Sequence, residues 1–323
     1  MVSNLMQATY FLHTVPIQLN VDDAEAWQRL QRQWQPFAQA SPGRQQPIHV
    51  RVQVQPQAPA APSWPVASTG PDITYFRSGP HMAAFFPGWG RFDVNLEEAV
   101  IIGRMARAAV QTYGVFEEML LIALAPLLRR RGYYTIHAFA AALETRALLI
   151  LGESGAGKTT TGLSLLARGA RLVANDTPLL HPHSAASPAL HAYPGLLSAY
   201  PDSVAHFPQL GHLLQEGIHR RGSDKISFAA ESIWPHVWVQ QARPAALVFP
   251  ALTPGLATSR LTPMRPFEAL QQLIGQSIED WDTLTIPAHL QALRQLVDAA
   301  PAWRLHLAPD IPHLPDLLLP LLQ

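Results

Sequence analysis

Nine residues near the middle of the chain constrain its fold more than any other segment. They read GESGAGKTT over positions 152–160 and fit the pattern G-x-x-x-x-G-K-[ST]. Glycines let the backbone turn its N–H groups towards phosphate oxygens, and the N-terminus of a following helix adds partial positive charge. Lys158 is expected to reach the β- and γ-phosphates, and the Thr159 hydroxyl to bind Mg²⁺. The residues expected to bind the nucleotide are Gly152, Ser154, Gly155, Ala156, Gly157, Lys158, Thr159 and Thr160.

The flanking sequence supplies the structure that this pattern requires. Residues 147–151 form a short apolar run, as expected for a buried strand. Residues 160–168 have a helical apolar pattern, and Gly169 stands where a helix commonly ends. Residues 172–174 are apolar again and predict a second strand. Strand, loop, helix and strand in this order predict a nucleotide-binding site.

Composition narrows the possible classes of protein. The chain has 323 residues, 48% of them hydrophobic, and its 23 basic and 23 acidic side chains give a formal net charge of zero. A general nucleic-acid surface or an anionic-membrane surface is therefore not indicated. With no cysteine, disulfides and cysteine zinc sites are excluded. No apolar run approaches the roughly 20 residues that span a bilayer, and the start lacks a secretory pattern. We expect a soluble cytoplasmic protein.

The apolar patterns predict two domains. Residues 1–131 are expected to form a smaller N-terminal α+β domain, and residues 132–323 an α/β domain around the loop. A helix is predicted over about 24–35, ended by Pro36. The proline-rich stretch 55–71 is predicted to be an exposed connection.

Three further predictions concern helices and histidines. Residues 95–131 are compatible with a long helix that Pro126 should disturb. The arginines at 129–131 are predicted to be a solvated helix end. The later histidines lack metal-ligand spacing and are predicted to be solvated, namely His181, His183, His191, His206, His212 and His219.

Several segments together resemble the catalytic domain of HPr kinase/phosphorylase. That family has a His before the strand that precedes the loop, and His137 matches it here. Ser154 within the loop is typical of this family and of the related phosphoenolpyruvate carboxykinases. The family's later arginine–glycine and Asp–Asp pairs are matched by residues 168–169 and 175–176.

The downstream chain is more similar to the HPr-kinase-related kinases of ribosomally made peptides, such as lasso-peptide kinases. The resemblance covers roughly residues 132–310. The chain lacks the phosphorylase signature of the bifunctional enzyme, which favours a kinase of another substrate. The similar segments are 193–195, 200–203, 224–225, 245–249 and 261–264.

The resemblance implies an α/β P-loop kinase domain with a smaller N-terminal α+β domain. It implies transfer of the γ-phosphoryl group of ATP, with Mg²⁺, to a serine hydroxyl of a peptide or small carrier protein. A precursor peptide in natural-product biosynthesis is the favoured substrate, and a homo-oligomer is compatible with the family. No nucleic-acid or membrane partner is expected.

The catalytic residues implied by the resemblance are Asp176, His137, Lys158, Asn175 and Lys225. Asp176 follows the predicted strand 172–174, which we expect beside the strand before the loop, where a carboxylate can bind Mg²⁺. Asn175 replaces the first Asp of the family pair and cannot accept a proton at neutral pH, although it can orient a hydroxyl. Lys225 is expected to contact the transferring phosphate or an acidic peptide end.

Asn175 leaves three interpretations open. Asp176 serves both metal and nucleophile, or His137 is the base, because its pKa lies in the useful range. In the third interpretation the protein binds nucleotide and catalyses poorly, as a regulator. A small-molecule kinase is a further alternative.

Overall fold

The structure is a computed structural model that describes residues 5–37, 45–182, 188–193, 195–219 and 224–323. It is a mixed α/β protein that divides into two compact units. The first unit comprises Met1–Arg131 and Asp280–Asp282, and the second comprises Gly132–Glu279 and Thr283–Gln323.

The described part of the first unit forms one eight-stranded sheet in the order β1-β2-β3-β8-β7-β6-β5-β4. Strands β2, β3 and β8 run parallel, and β8 to β4 form an antiparallel meander. The elements are β1 (Met6–Leu12), β2 (Val15–Val21), α1 (Ala24–Trp34), β3 (Ile48–Gln55), β4 (Val66–Thr69), β5 (Thr74–Ser78), β6 (His81–Phe86), β7 (Gly90–Asn95), β8 (Val100–Ala106), α2 (Arg107–Gln111) and α3 (Val115–Arg129).

Helix α1 has the predicted position. The Asp23 carboxylate accepts the N–H of Ala26 at 3.0 Å and caps its first turn. Ala26, Leu30 and Trp34 are buried at a spacing of four residues, so one stripe of the helix faces the core.

Two predictions for this unit are wrong in part. Residues 100–106 form strand β8, because the β-branched Val100, Ile101 and Ile102 begin an alternation of buried and half-buried side chains. The long helix is therefore confined to α3, which accommodates Pro126 one turn before its end. The proline-rich connection is also shorter than predicted, because residues 66–69 pair with β5 as an edge strand.

The prediction of solvated arginines at the end of α3 is wrong for Arg129 and Arg130. Arg129 is 3% exposed, and its Nε donates to Asp282 Oδ2 at 3.2 Å. Arg130 donates to both carboxylate oxygens of Asp282 at 2.9 Å. Asp282 is fully buried, and Arg77 Nη1 lies 4.0 Å from its Oδ1. A carboxylate distant in sequence binds these cations, which local spacing does not reveal.

The second unit begins with three strands, and its first helix follows the third of them. Its elements are β9 (Tyr134–Thr135), β10 (Ala138–Leu143), β11 (Arg146–Leu151), α4 (Lys158–Leu166), β12 (Arg171–Ala174), β13 (Leu179–His181), β14 (Ala189–His191), β15 (Leu197–Ala199), α5 (Pro201–Ala205), α6 (Leu213–Glu216), β16 (Ile218–His219), β17 (Ile226–Phe228), β18 (Gln241–Leu252), β19 (Arg260–Met264), α7 (Pro266–Ser277), α8 (Ile286–Ala299), β20 (Ala302–Leu307) and α9 (Leu314–Leu318). In the described residues, β12-β10-β11-β18-β14-β13-β9 follow one another in a nine-stranded sheet that β20 and β19 complete. The strands β15, β17 and β16 form a separate small sheet.

Helices cover both faces of this large sheet. Side chains of β11 alternate between the faces, so Leu148 and Ile150 pack with Leu163 of α4 in one core cluster. Leu149 and Leu151 belong to a second cluster on the opposite face, which includes side chains of α7 and α8. Strand β11 is buried on both faces, as its uninterrupted apolar sequence predicts.

In the part of the chain that the structure describes, no helix is both long and apolar enough to cross a membrane.

Candidate functional site

The loop 152–157 leaves the end of β11 and enters α4 directly. Its three glycines have φ angles that favour glycine, 146° at Gly152, 83° at Gly155 and 98° at Gly157. At Gly157 an added Cβ would also lie 2.6 Å from Leu307 Cδ1. The first N–H groups of α4 lack partners within the helix, so they are available to an anion at its N-terminus.

Lys158 begins α4 and turns its side chain back over the loop. Its Nζ donates to the carbonyl oxygens of Gly152 and of Glu153, the latter at 3.0 Å. Burial lowers the pKa of the Lys158 ammonium, which the Asp176 carboxylate opposes and the charge of Lys225 reinforces. The ammonium of Lys158 therefore lies at the loop, where bound phosphate would contact it.

The residues of the pair His137 and Asp176 meet at the same edge of the sheet. Strand β10 runs antiparallel to β11, with Ala138 opposite Leu151, so His137 stands beside the start of the loop. Strand β12 runs antiparallel to β10, and the Ala138 N–H donates to the Asp176 carbonyl at 3.1 Å. The expectation that β12 lies beside β11 is wrong, because β10 separates them, but both strands end at the same edge.

The side chains of this pair interact directly. His137 Nδ1 lies 3.3 Å from Asp176 Oδ1, and the Asp176 side chain is 62% exposed. Burial lowers the pKa of the His137 imidazole, the charges of Lys158 and Lys225 lower it further, and Asp176 opposes both effects. An imidazole with a lowered pKa is neutral near pH 7 and can accept a proton.

Asn175 is anchored by its amide. Its Nδ2 donates to the carbonyl of Leu196 at 3.0 Å. Its Oδ1 is buried and has no hydrogen-bond partner within the described residues. An aspartate could not donate to Leu196, so asparagine has a specific structural use here. The orphaned oxygen is an acceptor that a hydroxyl group could satisfy.

Lys225 and the 200–203 segment lie on the same side of the site. The Lys225 ammonium sits over the Tyr200 ring, 5.3 Å from its centroid. Ser203 Oγ lies 2.7 Å from Thr160 Oγ1, so α5 is tied to the first turn of α4. The Thr160 hydroxyl thus has a protein partner as well as its expected place near phosphate.

Three polar groups near the site were not predicted from the sequence. These are the Leu196 carbonyl, the Ser203 hydroxyl and the Gln276 side chain, whose Oε1 accepts the Gly152 N–H at 3.1 Å. Leu196 and Ser203 flank or lie in segments that resemble the family, but nothing in their spacing names the partner. Gln276 lies 124 positions from Gly152, so only the tertiary structure brings them together.

A divalent ion has limited protein ligands in this site. Among the described residues, no group of three or more His, Asp or Glu side chains could hold a metal ion. Thr159 and Asp176 offer one hydroxyl and one carboxylate, and this oxygen set suits Mg²⁺ that takes its remaining ligands from phosphates and water.

The later histidines do not share one environment. His206 and His212 are exposed, as predicted. The solvated interpretation is wrong for His191, which is 6% exposed and packs with Tyr133 and His181 at ring distances of 5.3 and 5.9 Å. His191 lies in β14 between β13 and β18, and this central position buries it. His183, Pro194 and the side chain of His219 lie outside the described residues.

Comparisons with known proteins do not assign this chain to a family. No protein-family model matches the sequence, and no curated protein matches it. Among solved structures, the chain is similar to the HPr(Ser) kinase/phosphatase from Coxiella burnetii, with 15% identity over 58% of this chain and 88% of that chain. The TM-score of 0.31 is too low to establish a family.

Proposed function

We propose that this protein is an ATP-dependent kinase that transfers the γ-phosphoryl group to a serine hydroxyl of a peptide or small carrier protein. The observation that carries the proposal is the His137–Asp176 pair, 3.3 Å apart, at the sheet edge from which the loop 152–157 leaves. A phosphate-binding loop and a proton acceptor on one edge are what phosphoryl transfer to a hydroxyl requires. The sequence resemblance to peptide kinases favours a precursor peptide as substrate.

The loop and the start of α4 bind the nucleotide in this proposal. The N–H groups of loop and helix contact the phosphate oxygens, and Lys158 leaves its carbonyl partners to neutralise the β- and γ-phosphates. Thr159 and Asp176 would hold Mg²⁺, and the bound ion would neutralise the charge that develops during transfer. Lys225, whose charge acts on both His137 and Lys158, contacts the acceptor or the transferring group.

The acceptor hydroxyl is activated by His137. Asp176 accepts a hydrogen bond from His137 Nδ1, so Nε2 carries the lone pair and takes the hydroxyl proton. The serine oxygen bonds to the γ-phosphorus, and the bond from that phosphorus to the β-bridging oxygen breaks, which releases ADP. Asn175 takes no proton in this step, and its hydrogen bond to the Leu196 carbonyl holds the segment that carries Asp176.

The test is incubation with γ-labelled ATP, Mg²⁺ and peptides encoded next to this protein. We expect label transfer to a serine, and a loss of about 100-fold or more in Lys158→Ala, because preorganised charge stabilisation is worth that much. Arg168→Ala is the matched control, since Arg168 is an exposed cation that follows the C-terminal end of α4, away from the loop. Transfer that persists in Lys158→Ala contradicts the nucleotide assignment.

Two variants separate the candidate bases. Loss of transfer in His137→Ala with retained ATP binding supports His137 as the base. Unchanged turnover in Asp176→Asn would show that the metal and positioning roles of Asp176 are wrong. A phosphorylated metabolite in cell extract, without a labelled peptide, would instead support a small-molecule kinase.

A nucleotide-binding regulator is the second candidate, and the anchored amide of Asn175 favours it. The Asn175 amide, which stands where the family has a carboxylate, is committed to a hydrogen bond with the Leu196 carbonyl. Tight ATP binding without transfer to any acceptor, restored to transfer in Asn175→Asp, would support this candidate over the kinase.

A further inference from the structure

Gln276 lies where helix α7 passes the start of the loop. Ala269 and Leu273 of α7 are buried in the same core cluster as Leu149 and Leu151 of β11. Gln276 follows at the next helical step, so it continues this stripe just where β11 ends and the loop begins. A polar side chain at this place meets backbone instead of core.

The hydrogen bonds connect Gln276 to Lys158 through one residue. The Gly152 N–H donates to Gln276 Oε1 at 3.1 Å, and the Gly152 carbonyl accepts the Lys158 ammonium. Gly152 thus contacts both side chains. Because glycine at a φ of 146° has no side chain that fixes its orientation, these contacts hold its peptide groups in place. Helix α7 therefore fixes Gly152, whose carbonyl accepts the hydrogen bond of Lys158.

We propose that Gln276 is a positioning residue for nucleotide binding, because its amide oxygen fixes Gly152 and hence the entry of the phosphate-binding loop. The inference rests on the proposed nucleotide site and adds to it a residue from outside the motif. With the acceptor removed, the Gly152 N–H has no hydrogen-bond partner among the described residues, and the loop samples other orientations. Nucleotide affinity then falls, while the fold of α7 is kept by Ala269 and Leu273.

The test compares two replacements of nearly equal volume by titrating the full chain with Mg²⁺ and ADP in a calorimeter. Gln276→Leu removes the acceptor and is expected to weaken ADP binding by about 3- to 10-fold, as the loss of one hydrogen bond implies. Gln276→Glu keeps an acceptor and is expected to bind more tightly than Gln276→Leu at elevated salt, which screens the added charge. Gln271→Leu, on the exposed side of α7, is the control and should bind as wild type does.

A second readout separates positioning from general stability. Exchange of the Gly152 amide proton, followed by NMR, should accelerate in Gln276→Leu and stay slow in Gln271→Leu. Equal ADP affinity and equal exchange in wild type and Gln276→Leu would overturn the role of Gln276 alone. Absence of ADP binding to the wild-type protein would overturn the proposed function, and this inference with it.

Discussion

Individual residues of the loop are dictated by backbone shape. Gly152, Gly155 and Gly157 all have φ angles that other residues rarely adopt. At Gly155 an added side chain would meet open space, so strain alone requires glycine there. At Gly157 both the φ angle and the side chain of Leu307 require it. Backbone shape therefore requires the glycines of the motif, and packing also requires the one at Gly157, whatever the loop binds.

A buried carboxylate in the first unit gives a prediction about pH. Glu117 on α3 is 6% exposed, and its Oε2 has no hydrogen-bond partner within the described residues. Burial raises the pKa of this carboxyl, and the charge of Arg29, whose Nη1 lies 3.8 Å from Oε1, opposes the shift. When folding raises the pKa of a carboxyl, its contribution to the free energy of unfolding is fully present below the ordinary carboxyl pKa. This contribution is lost as pH rises through the raised pKa of the folded state.

We therefore expect Glu117→Gln to gain melting temperature relative to wild type as pH rises from about 4, the ordinary carboxyl pKa, towards neutrality. The measurement is the melting temperature of both proteins across this range. The exposed Glu98→Gln serves as control and should follow wild type. Parallel curves for wild type and Glu117→Gln would show that the pKa of Glu117 is the same in the folded and unfolded states.

At the scale of elements, the contact of α4 with β10 holds the loop's helix against the sheet. Gly162 of α4 faces Phe139 of β10, and an added Cβ would lie 2.4 Å from the ring. Phe139 is fully buried and cannot move aside. The close approach of helix and strand thus depends on the missing side chain at Gly162.

Two glycine-to-alanine changes test this contact with opposite signs. Gly162→Ala should destabilise the fold by about 1–3 kcal/mol, because overpacking outweighs the helix preference of alanine. Gly275→Ala lies in helix α7, has nothing within 4 Å of its added Cβ, and should stabilise by about 0.5–1 kcal/mol. Urea unfolding measures both values. If both changes stabilise the protein, the helix is not packed this closely on Phe139.

At the scale of the whole molecule, the first unit is completed by residues far along the chain. Asp280–Asp282 belong to it although they follow α7 in sequence. Trp281 stacks on Tyr75 with ring centroids 4.8 Å apart, and Arg129 lies over its ring at 5.3 Å. Asp282 forms ion pairs with both Arg129 and Arg130 in a buried cluster. The first unit therefore depends on this segment for charge balance.

We expect Asp282→Asn to destabilise the protein by about 3–5 kcal/mol, since it leaves the buried Arg129 without a counter-charge. Thermal unfolding of the full chain measures the effect. The exposed Asp280→Asn, two residues away, removes the same charge and should change the melting temperature little. Equal melting temperatures of the two variants would contradict the role of the cluster.

The sequence by itself determined the local structure around the loop. Strand β11, the loop and helix α4 follow from an apolar run, three glycines and helical periodicity, because each depends on neighbours along the chain. Gly169, with a φ of 91°, accordingly follows the end of α4. Helix α1 was likewise predictable from its stripe of buried residues.

Only the tertiary structure decided which distant groups meet. Strand order placed β10 between β11 and β12, and it brought His137 to Asp176 by aligning strand ends. The partners of Arg129 and Gly152, namely Asp282 and Gln276, lie 153 and 124 positions away. No spacing in the sequence encodes such pairs, because chain packing and not local preference selects them.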